Sequence, residues 1–466
     1  MSDTLKNRMC LARPDSYFAL IALLTMLAGL FCGWNAQAAE TEQMSLPDAI
    51  NYALAHNPDL SVAEGQIDEA KQAEGEVFAN YLPHLALEGG YTYISNVPEM
   101  NISFSNTVAT PLGVMPININ RTIEMGQHDN YKAQLTATQT LFASGQVYYA
   151  DQAMEHQVRI KEFQTDAARL KVAQMTAEAY LGVLISQSVY QAQKEALNSA
   201  QTHLQQVQNR YDAGAASRFE LLRAQVQVDN IAPQVTEAEK MIDQARTGLA
   251  RAMGYSGALP ALTDTLDTSA TAVNVNQALD AAQKARPEFA ALAAGREAYE
   301  NQALSRRGGM LPTVVLNGTW GYQKPYYQSF DWEQNWTVGV GIRIPIFDGL
   351  QAYRGMTGAW AKAETVARST DQTRADVRSQ VTSATLDLQE AAVRIKSTQA
   401  NVERAKEAVT IAENSYIAGA ATNLEVIDAQ LAATNARIAN LKALYDYRVA
   451  RVRLNAATGD REAIGR

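Results

Sequence analysis

The side chains that carry out most catalytic and metal chemistry are sparse in this 466-residue sequence. Its five histidines are His56, His84, His128, His156 and His203. They lack the His-Glu-x-x-His spacing of a zinc site, and neither a Gly-x-Ser-x-Gly nucleophile turn nor a phosphate-binding P-loop occurs. We therefore predict that the protein is not an enzyme and that it holds no metal and no cofactor.

Two hydroxyl and carboxylate pairs indicate a different chemistry, the satisfaction of free backbone amides at helix ends. Ser217 precedes Glu220 by three residues, and Thr422 precedes Glu425 by the same spacing. In such a pair the hydroxyl accepts a hydrogen bond from an amide of the first helical turn, and the carboxylate accepts one from the amide of the hydroxyl residue. Each pair is predicted to begin a helix.

A glycine stands three residues before each pair, at the end of a long stretch that favours helix. Gly214 and Gly419 occupy the position where a left-handed residue ends a helix. Residues 211–225, YDAGAASRFELLRAQ, closely match residues 416–430, YIAGAATNLEVIDAQ. Each stretch is predicted to end one helix, reverse the chain and begin another helix. Small residues such as Ala215 and Ala420 would let the backbones of several such turns crowd together.

The two turns belong to a longer internal repeat. Residues after the turns match at the same sequence separation as the turns themselves, whereas residues before the turns match at a larger separation. The difference places an insertion in the first copy between Tyr93 and Phe142. We predict a first half-repeat over residues 39–254, a connector over residues 255–272 and a second half-repeat over residues 273–466.

Residues 1–38 have the composition of a secretory signal peptide. Basic residues precede an apolar run over residues 17–34, and Ala36, Gln37 and Ala38 form a small-x-small cleavage site. The two cysteines, Cys10 and Cys32, both lie inside this segment, so no disulfide is expected. Cys32 as a lipid acceptor is the alternative, although Phe31 stands where a small residue is needed. The net charge of −9 argues against nucleic acid as a partner.

Two tracts are long enough to outgrow a single globular core. Residues 146–213 contain one glycine and no proline, and residues 359–418 contain neither. As helices of about 60 residues they would extend about 90–100 Å and would need neighbours along their whole length. An ordinary helical bundle remains the alternative on periodicity alone.

Four stretches alternate apolar and polar residues with a period of two. They are residues 84–93, 131–142, 313–322 and 336–347. Strands of about ten residues with aromatics near their ends fit an outer-membrane barrel, whereas soluble hairpins on a core are the alternative. No segment after the signal peptide has the roughly 20 apolar residues of a membrane-spanning helix. Residues 94–130 and 323–335 are predicted as loops outside the cell.

Four strands are too few to close a barrel. A strand in a bilayer leaves unpaired backbone unless the sheet closes on itself, and barrels begin at about eight strands. Several copies would therefore contribute four strands each. Two copies would give eight strands around a filled lumen, and three would give twelve strands and room for a pore.

In this order and spacing, these features resemble the TolC-like outer-membrane efflux and secretion channels. The resemblance extends over the whole chain after residue 38 and includes a Leu-Pro pair before a strand in each half, at Leu82 and Leu311. It implies a mainly α fold with a small transmembrane β part. It also implies a duplicated half-repeat, long antiparallel coiled-coil helices forming an α-barrel tunnel, and a trimeric twelve-stranded β-barrel.

The resemblance also implies a function, a location and partners. The protein would be the exit duct of a tripartite efflux or type I secretion system in the outer membrane of a Gram-negative bacterium. It would be a homotrimer in contact with outer-membrane lipid. A periplasmic adaptor (membrane fusion) protein would connect it to an inner-membrane pump of the RND or ABC type. A periplasmic structural coiled coil without channel activity is the alternative function.

At the helix tips, the resemblance assigns roles to individual residues. Glu425 and Asp428 match acidic positions that ring the periplasmic entrance, and Tyr416 and Glu220 match positions of polar links that hold the entrance closed. The basic residue often found two positions after the second glycine is absent, because Ala421 stands there. The adaptor would dock on residues of both turns: Gly214, Ala215, Ser217, Glu220, Leu221, Gly419, Ala420, Thr422 and Leu424.

Overall fold

The computed structural model of the protein describes residues 43–111, 113–266, 273–326, 329 and 331–465. The chain divides into two units, Met1–Gln43 and Met44–Arg466, and only the last residue of the first unit is described. The predicted signal peptide lies outside the described residues, and so does part of the predicted connector. The second unit contains residues 44–254 of the predicted first half-repeat and all of the predicted second one.

The two halves have matching helices. The first half contains α1 (Leu46–His56), α2 (Pro58–Phe78), a 3₁₀ turn (Ala79–Tyr81), α3 (Gln146–Asp212) and α4 (Arg218–Met253). The second half contains α5 (Val275–Ala285), α6 (Pro287–Gly308), α7 (Gln351–Ile417), α8 (Asn423–Thr458) and the short α9 (Arg461–Ile464). Helices α3 and α7 have 67 residues each, and α4 and α8 have 36 each.

Strands occupy the segments between the helices. The first half contains β1 (Gln43–Met44), β2 (His84–Tyr93), β3 (Glu99–Thr110), β4 (Gly113–Glu124) and β5 (Asp129–Phe142). The second half contains β6 (Ala261–Leu262), β7 (Thr313–Lys324) and β8 (Glu333–Arg343). Strands β2, β5, β7 and β8 form one antiparallel sheet in that order, and β3 pairs with β4 in a separate hairpin.

The long helices pair as two antiparallel hairpins, α3 with α4 and α7 with α8. Neither α3 nor α7 contains proline, and at 1.5 Å per residue each extends about 100 Å. Most of the buried residues of α7 are small or β-branched, among them Val377, Val381 and Ala384. Small side chains let neighbouring helices approach closely along this length. None of the described helices combines the length and apolar composition needed to cross a membrane.

The largest hydrophobic core lies where α1, α3 and α4 meet. Tyr180, Leu181 and Leu249 are fully buried there. The Tyr180 hydroxyl donates to the Asp264 carboxylate (2.7 Å) and lies 2.9 Å from the Met44 carbonyl oxygen. A second core joins α5, α7 and α8, and a third lies at the far ends of the helical hairpins.

The four-stranded sheet has one apolar and one polar face. Leu87, Leu135, Trp320 and Trp336 form a cross-strand row, and all four are at least 40% exposed. On the opposite face, Thr319 and Thr337 share a hydrogen bond of 2.6 Å. Strands β2 and β8 are the edges of the sheet. The single chain thus presents an uncovered apolar face and two open edges.

The fourth strand differs from the one predicted over residues 336–347. Strand β8 begins at Glu333 and ends at Arg343, so Ile346 and Phe347 lie beyond it. Pro345 accounts for the early end, because proline has no backbone N–H to donate to a neighbouring strand.

A second difference concerns the predicted loop over residues 94–130. Most of this segment forms the hairpin of β3 and β4, with twelve residues in each strand. The insertion in the first copy and the proline-rich stretch over residues 110–116 indicate a loop. The alternation of apolar residues within the segment nevertheless has the period of a strand.

Candidate functional site at the helix tips

The first tip is the turn between α3 and α4. Gly214 has a positive φ of 73°. The amide of Ala215 donates to the carbonyl of Arg210 (2.7 Å), and the amide of Gly214 donates to the carbonyl of Tyr211 (2.9 Å). These bonds satisfy carbonyls at the end of α3. The predicted left-handed helix end is confirmed.

The second tip, between α7 and α8, repeats this geometry. Gly419 has a φ of 77°, and the amide of Ala420 donates to the carbonyl of Ser415 (2.8 Å). Gly214, Ala215, Gly419 and Ala420 are all exposed. Both turns therefore present mainly backbone at the ends of the hairpins.

Both predicted capping boxes are present. The carboxylate of Glu220 accepts from the amide of Ser217 (2.7 Å), and the Ser217 hydroxyl accepts from the amide of Glu220 (3.2 Å). In the second tip, the Glu425 carboxylate accepts from the amide of Thr422 (2.6 Å). The Thr422 hydroxyl accepts from the amide of Glu425 (3.3 Å). Glu220 and Glu425 therefore make the same capping hydrogen bonds in the two tips.

A buried polar network joins the two tips within one chain. His203 of α3 is 4% exposed, and its Nε2 lies 2.6 Å from Oδ1 of Asn423 in α8. Asn423 is 2% exposed, and its Nδ2 donates to the carbonyl of Glu220 in α4 (2.9 Å). The side chain of Asn423 therefore links three helices.

Tyr416 brings the fourth helix, α7, into this network. Its ring packs edge-on against His203, with centroids 5.2 Å apart, and the Arg210 guanidinium lies 4.6 Å from the ring centroid. Arg210 Nη1 also donates to the carbonyl of Tyr416 (2.5 Å). Burial raises the pKa of the Tyr416 phenol, and its hydroxyl has no hydrogen-bond partner among the described residues.

Apolar side chains surround this network. Val207, Leu221, Ala224, Tyr416 and Val426 form a buried cluster at the tips. Because it draws on α3, α4, α7 and α8, this cluster binds the two hairpins together near their ends.

The outer surface of the tips differs from the predicted docking set in one residue. Leu221 is only 9% exposed and packs inside the cluster, so it is not available to a partner. Two other apolar side chains near the start of α4 face solvent instead: Phe219 is 68% exposed and Leu222 is 48% exposed. In the second tip, Leu424 is 39% exposed.

The charges of the two tips are unequal. Residues 407–436 contain four acidic residues, Glu407, Glu413, Glu425 and Asp428, and no lysine or arginine. The matching residues 202–231 contain three acidic and three basic residues. Glu425 and Asp428 are exposed and lie three residues apart, on one face of α8. The second tip therefore has a local excess of negative charge.

The predicted gate residues Tyr416 and Glu220 are close together but not hydrogen-bonded through their side chains. Tyr416 packs on His203 and Arg210 of its own chain, and the Glu220 carboxylate caps α4. Their predicted role in links between neighbouring copies stays a prediction.

His203, Arg210 and Asn423 are the tip residues that sequence reasoning missed. His203 and Asn423 are separated by 220 positions in the sequence, and no local motif joins them. Within the described part of the chain, no group of three or more His, Cys, Asp or Glu side chains could hold a metal ion.

Paired helical hairpins of about 100 Å, with a four-stranded sheet that is apolar on its exposed face, define a channel-forming subunit. The sequence matches the family model described as outer membrane efflux protein over residues 49–255 and 278–460. The chain belongs to this family, which is one of transport channels.

Individual relatives agree with this assignment. The outer membrane protein TolC of Escherichia coli (strain K12) is 25% identical over 470 residues, 94% of this chain and 86% of that protein. The alkaline protease secretion protein AprF of Pseudomonas aeruginosa is 23% identical over 448 residues, 94% of this chain and 88% of that protein. The crystal structure of CusC superposes with a TM-score of 0.73 at 18% identity, with 89% of this chain and 92% of that chain covered.

Together these findings establish the general function. The protein is an outer-membrane exit duct of the efflux and type I secretion kind, located in the Gram-negative outer membrane.

Proposed function

We propose that three copies of this chain form one channel through which small molecules or polypeptides leave the periplasm without chemical change. The observation that carries this proposal is the four-stranded sheet, with its exposed row of Leu87, Leu135, Trp320 and Trp336 and its open edges β2 and β8. In a bilayer such edges must be paired, and pairing β8 of one copy with β2 of the next closes the sheet. Three copies give twelve strands.

Glu425 and Asp428 form the acidic ring of the periplasmic entrance in this assembly. Three-fold symmetry would bring six carboxylates to one aperture, and the absence of lysine and arginine from residues 407–436 leaves their charge uncompensated within the tip. Clefts lined by one sign of charge concentrate counter-ions, so the entrance would favour cations and bind multivalent ones. Glu425 contributes to the ring and caps α8 at the same time.

The same tips offer the docking surface for the adaptor protein, which in turn contacts an inner-membrane pump of the RND or ABC type. Exposed backbone at Gly214 and Gly419 and the exposed side chains of Phe219, Leu222 and Leu424 support this role. Exposed apolar side chains among polar ones are typical of a protein interface.

Tyr416 and Glu220 complete the gate in this proposal. The Tyr416 hydroxyl is buried and has no partner among the described residues of its own chain, so a link to a neighbouring copy requires the tip to rearrange. A Tyr416→Phe variant tests this role, because loss of a link between copies would raise the resting conductance. An unchanged conductance would leave Tyr416 with packing inside one chain only.

The acidic ring is tested by conductance in planar bilayers with the Glu425→Gln/Asp428→Asn double variant. We expect small, cation-selective openings that trivalent cations block in the wild type, and loss of both block and selectivity in the double variant. Glu220→Gln controls for the loss of a capping carboxylate, because Glu220 occupies the equivalent capping position in the other tip. Since Glu220 is also a proposed gate residue, this control is compared on ion selectivity and trivalent block and not on resting conductance.

Three results would change the proposal in different ways. Unchanged selectivity in the double variant would refute the ring and keep the channel. Equal loss in the Glu220→Gln control would assign the effect to capping. Folded wild-type protein that never conducts would refute the channel and favour a structural coiled coil.

A further inference from the structure

The hairpin of β3 and β4 has one apolar face and one polar face. Its strands pair in register, so Phe104 lies opposite Ile119 and Ser105 lies opposite Asn118. Because side chains alternate along a strand, paired residues share a face. The apolar face carries Met100, Ile102, Phe104, Val108, Met115, Ile117, Ile119 and Ile123, together with the polar residues Asn106, Thr110 and Arg121. The opposite face carries mostly Asn, Ser, Thr and Glu.

The apolar face is uncovered in the single chain. Phe104 is 66% exposed, Met115 is 61% exposed and Ile119 is 54% exposed. An isolated two-stranded hairpin is marginally stable in water, and a contiguous apolar patch on a protein surface marks an interaction site. A partner therefore has to cover this face.

In the proposed assembly, the hairpin starts at the boundary between copies. The amide of Ile94 donates to the carbonyl of His128, and the amide of Met125 donates to the carbonyl of Pro98, both at 2.8 Å. These bonds continue the pairing of β2 and β5 into the hairpin. Strand β2 is an edge strand, and its neighbour in a closed sheet would be β8 of the next copy. The hairpin therefore begins beside another copy of the same chain.

Charge argues against a lipid surface as the occupant. Strands β3 and β4 carry three charged residues, and Glu99 lies opposite Glu124 at the base of the hairpin. Arg121 is the basic residue of the two strands. Attachment to anionic lipid headgroups is favoured by clusters of lysine and arginine, which this hairpin does not have. Arg121 lies opposite Ile102 and is the single charged residue of the apolar face, and the rest of that face suits another face of the same composition.

We propose that the β3–β4 hairpins of neighbouring copies pack their apolar faces on one another at the outer end of the channel. The inference rests on the proposed trimer. The 24 residues of these two strands have no counterpart among the described residues between β7 and β8, and the proposal gives them a role as a contact between copies.

Site-specific photocrosslinking in intact cells tests this contact. The photoreactive amino acid benzoylphenylalanine is placed at Phe104, and in a second variant at Ile119. The matched controls place it at Ser105 and Asn118, the neighbouring pair on the polar face. We expect irradiation to link copies of the chain covalently into dimers and trimers at both apolar positions, several-fold more than at the control positions.

The same cells provide an unirradiated sample whose oligomeric state is measured by native electrophoresis. Oligomers without crosslinks between copies from Phe104 and Ile119 would overturn the hairpin contact and leave the proposed trimer intact. Crosslinks from these positions mainly to lipopolysaccharide or to another protein would overturn it as well. A wild-type chain that forms no oligomer would overturn the proposed assembly itself.

Discussion

Replacing Asn423 by alanine is expected to loosen the contact between the two helix tips of one chain. The substitution removes the 2.6 Å contact with His203 and the 2.9 Å bond to the Glu220 carbonyl, and both partners lie in a packed region. A hydrogen bond contributes about 0.5–1.5 kcal/mol net, and a buried group left without a partner costs about 1–3 kcal/mol. Together these effects weaken the tip contact by about 2–4 kcal/mol.

Hydrogen exchange at the tips measures this loss directly. Amides exchange through local openings whose free energy depends on the contacts that close them. Since about 1.4 kcal/mol corresponds to a factor of ten, exchange in residues 203–224 and 412–428 should accelerate by roughly 30-fold to several hundred-fold. Amides in the middle of α3 and α7 should be unaffected.

Asn414→Ala is the matched control, because Asn414 is an exposed asparagine in the last turns of α7 before the same tip. Its substitution should leave exchange at the tips close to that of the wild type. Equal exchange in Asn423→Ala and Asn414→Ala would refute the reasoning, because the polar network would then contribute nothing to holding the tips together.

Three further predictions concern stability. The Arg437 guanidinium lowers the pKa of the Glu195 carboxyl below its ordinary value, so this pair stabilises the fold above pH 4.5 and less as the pH falls through the lowered pKa. Glu195→Gln should remove that acid-dependent loss of Tm. Burial raises the pKa of Tyr416 above 10.0, so its contribution is complete below that pH and is lost at higher pH. Tyr416→Phe should abolish this alkaline loss of Tm. Gly254→Ala should lower Tm more than Gly214→Ala. Both glycines have positive φ, but a Cβ at Gly254 would lie 2.6 Å from the His56 carbonyl oxygen, whereas the space around Gly214 is open. Equal Tm values for the two glycine variants would contradict this reasoning.

The parts of the fold that follow from local chemistry were predictable from the sequence. Ser217, Glu220, Thr422 and Glu425 cap helices because the spacing alone brings hydroxyl, carboxylate and amide together. The four main strands were visible because a period of two is a local property. The long helices followed from tracts nearly free of glycine and proline.

The parts that depend on distant residues were not predictable. Nothing near His203 in the sequence indicates that its ring meets Asn423 and Tyr416, since those contacts form only after two hairpins have packed. Leu221 and Leu222 are adjacent and chemically alike, and only the packing of α4 determines that Leu221 is the buried one. The β3–β4 hairpin was missed because its proline-rich turn indicates a loop, although the apolar residues on either side alternate with the period of a strand.

The open edges of the sheet have a consequence for biogenesis. Before assembly, β2 and β8 of a newly exported copy are free to add any extended segment, and the adjacent row of Leu87, Leu135, Trp320 and Trp336 makes such additions hard to reverse. Periplasmic chaperones would have to shield this sheet until other copies arrive. In a trimer the encounter of copies, rather than the folding of any one, would limit the rate. The yield of channels should then rise more steeply than linearly with the rate of synthesis, and aggregation should dominate when open edges pair without closing the sheet.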